Sequence, residues 1–247
     1  MASRPIFLAL AEADHLVSER SFDFHWNSGF AAIQKKKNII ALHETARLNG
    51  LFPVLEVSTK SEEKLGQRLS AFNLRINTVR GEMTIESAFQ GSKVFSRGGP
   101  YTDLYGLDSR SAKKDERLKS SGHLVGFNFL GQEWPLEPKT AFYDWLYLTA
   151  LRPHQEFLRI LFRYKGFSDI EFNPERSINC QARTCALLVS LIKLDALDDA
   201  LTSQQRFISV IESDSFKQPH SNGPIQRPLI DDEWQVVVII KNLHQAC

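Results

Sequence analysis

The sequence predicts an α+β fold, a helix-rich single domain with a small, mostly antiparallel sheet. Three observations carry this. Phe22, Phe24 and Trp26 alternate with polar residues, as do Val125, Phe127 and Phe129, the period-two pattern of half-buried strands. Stretches at 31–49 and 133–151 repeat apolar residues at helical spacing instead. Seventeen Phe and four Trp supply enough apolar surface for a substantial core. A length of 247 residues suits one domain with an appendage. The spacing places the domain at 1–212 and leaves 213–247, polar with Pro219, Pro224 and Pro228, as linker and tail.

In chain order, Ile6 to Leu10 reads as a short buried strand, and Phe22 to Trp26 as a second. A helix is predicted over 31–49, with Ile33, Ile40, Ala41 and Leu48 inward and Gly50 as its stop. Phe52 to Val57 is β-branched and apolar, hence a strand, and 58–61 is a turn. Leu74, Ile76 and Val79 carry strand character up to Gly81. Residues 98–109 form a loop long enough to cover a site. The segment 109–122, whose Arg110, Lys113, Lys114, Arg117 and Lys119 could touch a phosphate backbone, reads instead as a solvated helix because Asp115 and Glu116 interrupt its basic run. The aromatic stretch 133–151 predicts a helix buried nearly all round, so Asp144 within it needs a partner or a chemical task. Further helices are expected from His154 to Tyr164, through Ala182, Cys185, Val189 and Ile192, and around Phe207 to Ile211. Residues 170–172 are strand-like, and the run from Val236 to Ile240 has no functional reading.

Composition bounds the function. A net charge of +1 provides no global field for nucleic acid, so any such binding needs local patches. No apolar run reaches the roughly 18 residues of a membrane helix, and the start lacks the pattern of a secretory signal. Cys180, Cys185 and Cys247 lack metal-ligand spacing, and the expectation is a cytoplasmic protein that needs no metal and no cofactor.

The stretch 84–95, TIESAFQGSKVF, carries the chemistry. On one continuous helix Glu86, Gln90 and Lys93 fall at i, i+4 and i+7 and share a face. Thr84 can cap the start, and Gly98-Gly99-Pro100 ends the segment. An acid, an amide and an amine on one face suit polar catalysis, or else form a solvated surface pair. This text resembles the signature helix of the NADAR superfamily, in Glu86, Gln90, Lys93 and Phe95, with Val94 inserted where the family has Lys and Phe adjacent. GGPYTDLY, EWPLEPKTAFYDWLY and FNPERSINCQAR resemble the branch that serves as antitoxin to a DNA ADP-ribosyltransferase of the DarT type. The resemblance covers roughly residues 65–195.

What the resemblance implies is a YbiA-like fold and an ADP-ribosyl glycohydrolase. Its substrate would be ADP-ribosylated guanine in DNA, its product ADP-ribose, and its partner the cognate toxin. Lys93 would be the nucleophile, through a Schiff base, and Glu86 would transfer the proton, with Asp144 as a further candidate. Phe72 and Asn73 would line the pocket, with Gln90, Glu171 and Asn179 as ligand contacts, and Phe72 or Trp134 would stack on a base. Two other readings fit the same residues. One is an N-glycosidase on a small riboflavin-pathway intermediate. The other is a non-enzymatic protein that holds ADP-ribose or the toxin.

Overall fold

The computed structural model describes residues 1–12, 15–29, 31–175 and 177–212. The predicted tail from 213, with its apolar run at 236–240, lies outside the described residues. Strands β1 (Ala2–Glu12) and β2 (His15–Phe24) pair as a long antiparallel hairpin. Helix α1 (Ala32–Leu48) follows, then β3 (Val54–Glu56), α2 (Lys64–Arg68) and the hairpin of β4 (Arg75–Thr78) and β5 (Gly81–Thr84). Next come α3 (Ile85–Gly91) and β6 (Lys93–Phe95), a 3₁₀ turn at Thr102–Gly106, and helices α4 (Ser109–Lys114) and α5 (Arg117–Ser120). The chain continues through β7 (Leu124–Phe129), β8 (Gln132–Trp134), α6 (Ala141–Leu151), α7 (Gln155–Leu161) and β9 (Gly166–Ser168). Helices α8 (Gln181–Lys193), α9 (Leu197–Ala200) and α10 (Gln204–Glu212) close it.

The fold is mixed α and β, as predicted, but among the described residues the strands form three sheets rather than one. The largest runs β2-β1-β9-β3, with β3 and β9 parallel and the other pairs antiparallel. The β4-β5 hairpin stands apart, and β6-β7-β8 form an antiparallel trio. Helix α8 packs on β1 and β2, and α1 packs on β2. Alternate residues of β1 therefore enter different cores: Phe7 joins the cluster containing α8, and Ile6 joins Phe22, Phe24, Ile39 and Leu42. A strand covered on both faces reads as an unbroken apolar run, which is why Ile6 to Leu10 looked like a buried strand.

Burial reassigns several expected faces. Ile33, Ile40 and Leu48 are exposed, and the inward residues of α1 are Asn38, Ile39, Leu42 and Ala46. The tertiary partners decide this. Asn38 accepts from the Asn27 amide at 2.7 Å and donates back to the Asn27 carbonyl, so it must face the β2 exit. Val79 is solvent-exposed in the turn between β4 and β5. The strand expected at 170–172 lies earlier, at Gly166–Ser168, where the backbone pairs with β1 and β3. Helix α6 is buried nearly all round, as its aromatic text predicted. Around it Phe89, Phe127, Phe129, Phe142 and Trp134 form one aromatic core, with the Phe127 and Phe142 rings 4.8 Å apart.

Candidate active site

Helix α3 is short and buried at every position from Ile85 to Gly91. Thr84 caps it as expected, its hydroxyl accepting from the Ser87 amide at 3.2 Å. The helix ends before Lys93, which corrects the expected continuous helix. Ser92 turns its hydroxyl back onto the Ala88 carbonyl at 2.7 Å, and its own carbonyl accepts from the Asn128 amide at 2.7 Å. Those bonds commit the next residues to strand pairing, so Lys93 lies opposite Phe127 in β6. Two glycines make this exit possible. A Cβ on Gly91 would lie 2.6 Å from the Tyr105 ring, and one on Gly99, which has φ +86°, would lie 2.3 Å from the Lys93 carbonyl.

Although Lys93 has left the helix, its side chain and those of Glu86 and Gln90 meet at one cavity of about 910 Å³, within the usual range for small-molecule sites. Glu86 is only 6% exposed, and its Oε1 accepts from Gln90 Nε2 at 2.9 Å and pairs with Lys113 Nζ at 3.5 Å. Lys93 Nζ sits 5.0 Å over the Phe89 ring and, among the described residues, makes no hydrogen bond or ion pair. Burial lowers its pKa to about 8, the Glu86 carboxylate opposes that shift, and the Lys113 ammonium adds to it. An amine that is largely desolvated and uncommitted is the form that attacks electrophilic carbon.

Phe72, Glu171 and Asn179 line the same cavity. Asn179 Oδ1 is buried there with no hydrogen-bond partner among the described residues, an acceptor left over for a ligand. Gln181 fixes the wall behind them. Its Oε1 accepts from the Ala71 amide at 2.7 Å, and its Nε2 donates to the Val57 carbonyl and to Asp169 Oδ2. One buried amide thus ties the Phe72 loop to the start of α8.

Three expected site residues lie elsewhere. Trp134 is 2% exposed and packs between Phe142 and Trp145, so no ligand reaches its faces. Asn73 is exposed and donates to the Gln67 carbonyl at 2.8 Å, because the turn before β4 points it outward. Asp144 is 1% exposed and is held by Arg183 Nη1 at 2.9 Å and Thr184 Oγ1 at 2.5 Å, the structural partnership that its burial requires. Cys185 is a fully buried core thiol whose pKa burial pushes up to about 12.

Other residues join the site that the sequence reading had set aside or not marked. Arg110 and Lys113 of α4 face the cavity instead of forming a plain solvated helix, and Lys60 and Lys139 add further cations. Tyr143 of α6 packs edge-on to Phe89 at 5.3 Å. Asp169 is 8% exposed, and burial pushes its pKa up; burial and the Asp169 charge push up that of Glu56. The i, i+3 spacing of Arg110 and Lys113 was the one available sequence signal for these residues; Asp169 had none. Among the described residues no group of three or more His, Cys, Asp or Glu side chains is placed to hold a metal ion, and no helix is long and apolar enough to cross a membrane.

A family model described as DarT1-associated NADAR antitoxin matches residues 2–221. No individual curated protein matches the chain.

Proposed function

We propose that this chain, which belongs to the family of DarT1-associated NADAR antitoxins, is an ADP-ribosyl glycohydrolase that removes ADP-ribose from guanine in DNA and so acts as antitoxin to a DNA ADP-ribosyltransferase. The observation that carries this reading is the uncommitted amine of Lys93, with its pKa lowered to about 8, beside Glu86 in a cavity of ligand size. The activity is assigned to residues 1–212, in a YbiA-like fold, acting in the cytoplasm.

The reaction follows from those side chains. Lys93 Nζ attacks the anomeric carbon of the ribose and the bond to the guanine amine breaks. Glu86 carries the proton that the new C–N bond leaves on Lys93 to the departing guanine nitrogen. The ring oxygen then departs as a hydroxyl, taking the proton that remains on the Lys93 nitrogen, which gives an imine between Lys93 and the opened sugar. Water adds to the imine carbon, the amine leaves, and ADP-ribose closes again. Phe72 offers a ring for stacking. Lys60, Arg110, Lys113 and Lys139 offer cations for phosphate oxygens.

The test is ADP-ribose release from a single-stranded DNA carrying ADP-ribosyl guanine. Wild type should release it, borohydride should trap a sugar on Lys93, and Lys93→Ala should do neither while keeping its fold. A fully active Lys93→Ala protein overturns the mechanism. Release of ribose phosphate from a riboflavin-pathway intermediate, with modified DNA untouched, would favour the small-molecule glycosidase. Protection from the toxin that survives loss of both Lys93 and Glu86 would favour a binding protein.

A further inference from the structure

We propose that Lys113 is a positioning residue of this site: its ammonium holds Glu86 in place and repels charge from the Lys93 side chain, so that Lys93 meets an electrophile as a free amine. The inference rests on the reading of Lys93 as nucleophile, and it adds a second lysine with a separate task.

The placement of Lys113 is built rather than incidental. Asp108 caps α4, accepting from the Arg110 and Ser111 amides at 2.9 and 3.1 Å. The Ser109 hydroxyl then bonds to Thr84 Oγ1 at 2.8 Å, and it donates to the Phe72 carbonyl at 3.0 Å. Thr84 is the cap of α3, so Ser109 fastens the start of α4 both to the start of α3 and to the pocket loop. Lys113 stands one turn after Ser109 on the same face of α4. Its amine therefore comes to Glu86 Oε1 at 3.5 Å and over the Phe72 ring at 5.1 Å. Glu86 thus faces a lysine from another helix, and Lys93 is left without an anion in contact.

The titratable and charged groups that line the cavity with Lys93 come from several elements. Glu86 comes from α3, and Arg110 and Lys113 from α4. Tyr143 comes from α6, Glu137 and Lys139 from the segment before it, Asp169 and Glu171 from the segment before α8, and Lys60 from the turn after β3. Of these, Glu86 and Lys113 act on the amine, in opposite directions. Removing Lys113 takes away the repelling charge and also frees the Glu86 carboxylate to attract a proton onto Lys93. Both changes favour the charged, non-nucleophilic form. Lys113 is half-exposed, so its field is partly screened and the effect is modest.

Competitive acylation of the intact chain with trace acetic anhydride from pH 6 to 11, with Lys93 followed by peptide mass, reads the charge on this amine without any substrate. The wild-type midpoint is expected at about 8. Lys113→Met should raise it by about 0.5–1 pH unit, Lys113→Gln should do the same, and Lys113→Arg should stay within about 0.2 of wild type. The acid limb of kcat/KM should move in parallel. An unmoved midpoint in Lys113→Met and Lys113→Gln overturns the proposal. So does an equal rise in Lys113→Arg, since loss of shape and not of charge would then be responsible. Failure of the enzymatic reading appears separately, as a wild-type protein that yields no borohydride-trapped adduct.

Discussion

Asp144→Asn tests whether the buried carboxylate of α6 acts on substrate or only holds the fold. Its side chain is 1% exposed and that of Arg183 is 5% exposed, with 2.9 Å between Oδ2 and Nη1. Thr184 supplies a second bond to Oδ1, and Thr140 Oγ1 stands 3.4 Å from the same guanidinium nitrogen. Replacing the carboxylate by an amide removes the negative charge that stands 2.9 Å from this buried guanidinium. Breaking a buried pair in this way costs about 3–5 kcal/mol. In a domain of this size each 1 kcal/mol lowers Tm by about 2–4 °C, so the expected loss is roughly 6–20 °C. Thermal unfolding followed by circular dichroism measures the loss. Turnover should then be assayed well below the lowered Tm and normalised to folded protein, where it should stay within a few fold of wild type. The apolar pair Asp144→Leu with Arg183→Met should recover much of the stability, because neither charge remains to be buried. A Tm within about 2 °C of wild type together with a loss of roughly 10²-fold in turnover would refute the reasoning and make Asp144 a group that moves protons.

Glu86→Gln keeps the bond to Gln90 but cannot carry a proton; it should hold ADP-ribose within a few fold and lose about 10²-fold or more in turnover, and a weakened affinity with unchanged turnover at saturation would make Glu86 a ligand anchor. Phe72→Ala should weaken ADP-ribose binding, measured by calorimetry in the presence of chelator, by about 1–3 kcal/mol. Affinity that vanishes with chelator and returns with magnesium would show that a metal takes part. Lys93 has a folded pKa of about 8, below the 10.5 of the unfolded chain, so between those values the unfolded state binds more protons and stability rises with pH. Urea unfolding should show that rise from pH 8 to 10.5 in wild type and not in Lys93→Met, whose advantage at pH 7 shrinks accordingly.

Much of the local structure follows from neighbours along the chain. The period-two segments became strands, and of the aromatic text at 133–151 the part from Ala141 to Leu151 became a helix buried nearly all round, because alternation and helical spacing report local geometry, while Glu133 and Trp134 joined strand β8. The cap at Thr84 and the pairing of Glu86 with Gln90 at i, i+4 are local in the same sense. The stretch 84–95 alone also sufficed to mark Glu86, Gln90 and Lys93 as candidates for one site. Only the tertiary structure decided what surrounds them. Lys93 left the helix because the backbone around it pairs with β7, a strand more than 30 residues later. Arg110 and Lys113 reached the cavity because Ser109 bonds to Thr84 and Phe72, and that contact has no periodicity to reveal it. Trp134 and Asp144 were drawn into the core by Trp145, Phe142 and Arg183, partners distant in sequence or hidden on another face. An ionisable group takes its chemical character from burial and from the charges that other elements bring beside it, so the amine of Lys93 and the carboxyl of Asp169 acquired theirs only when the chain closed around them.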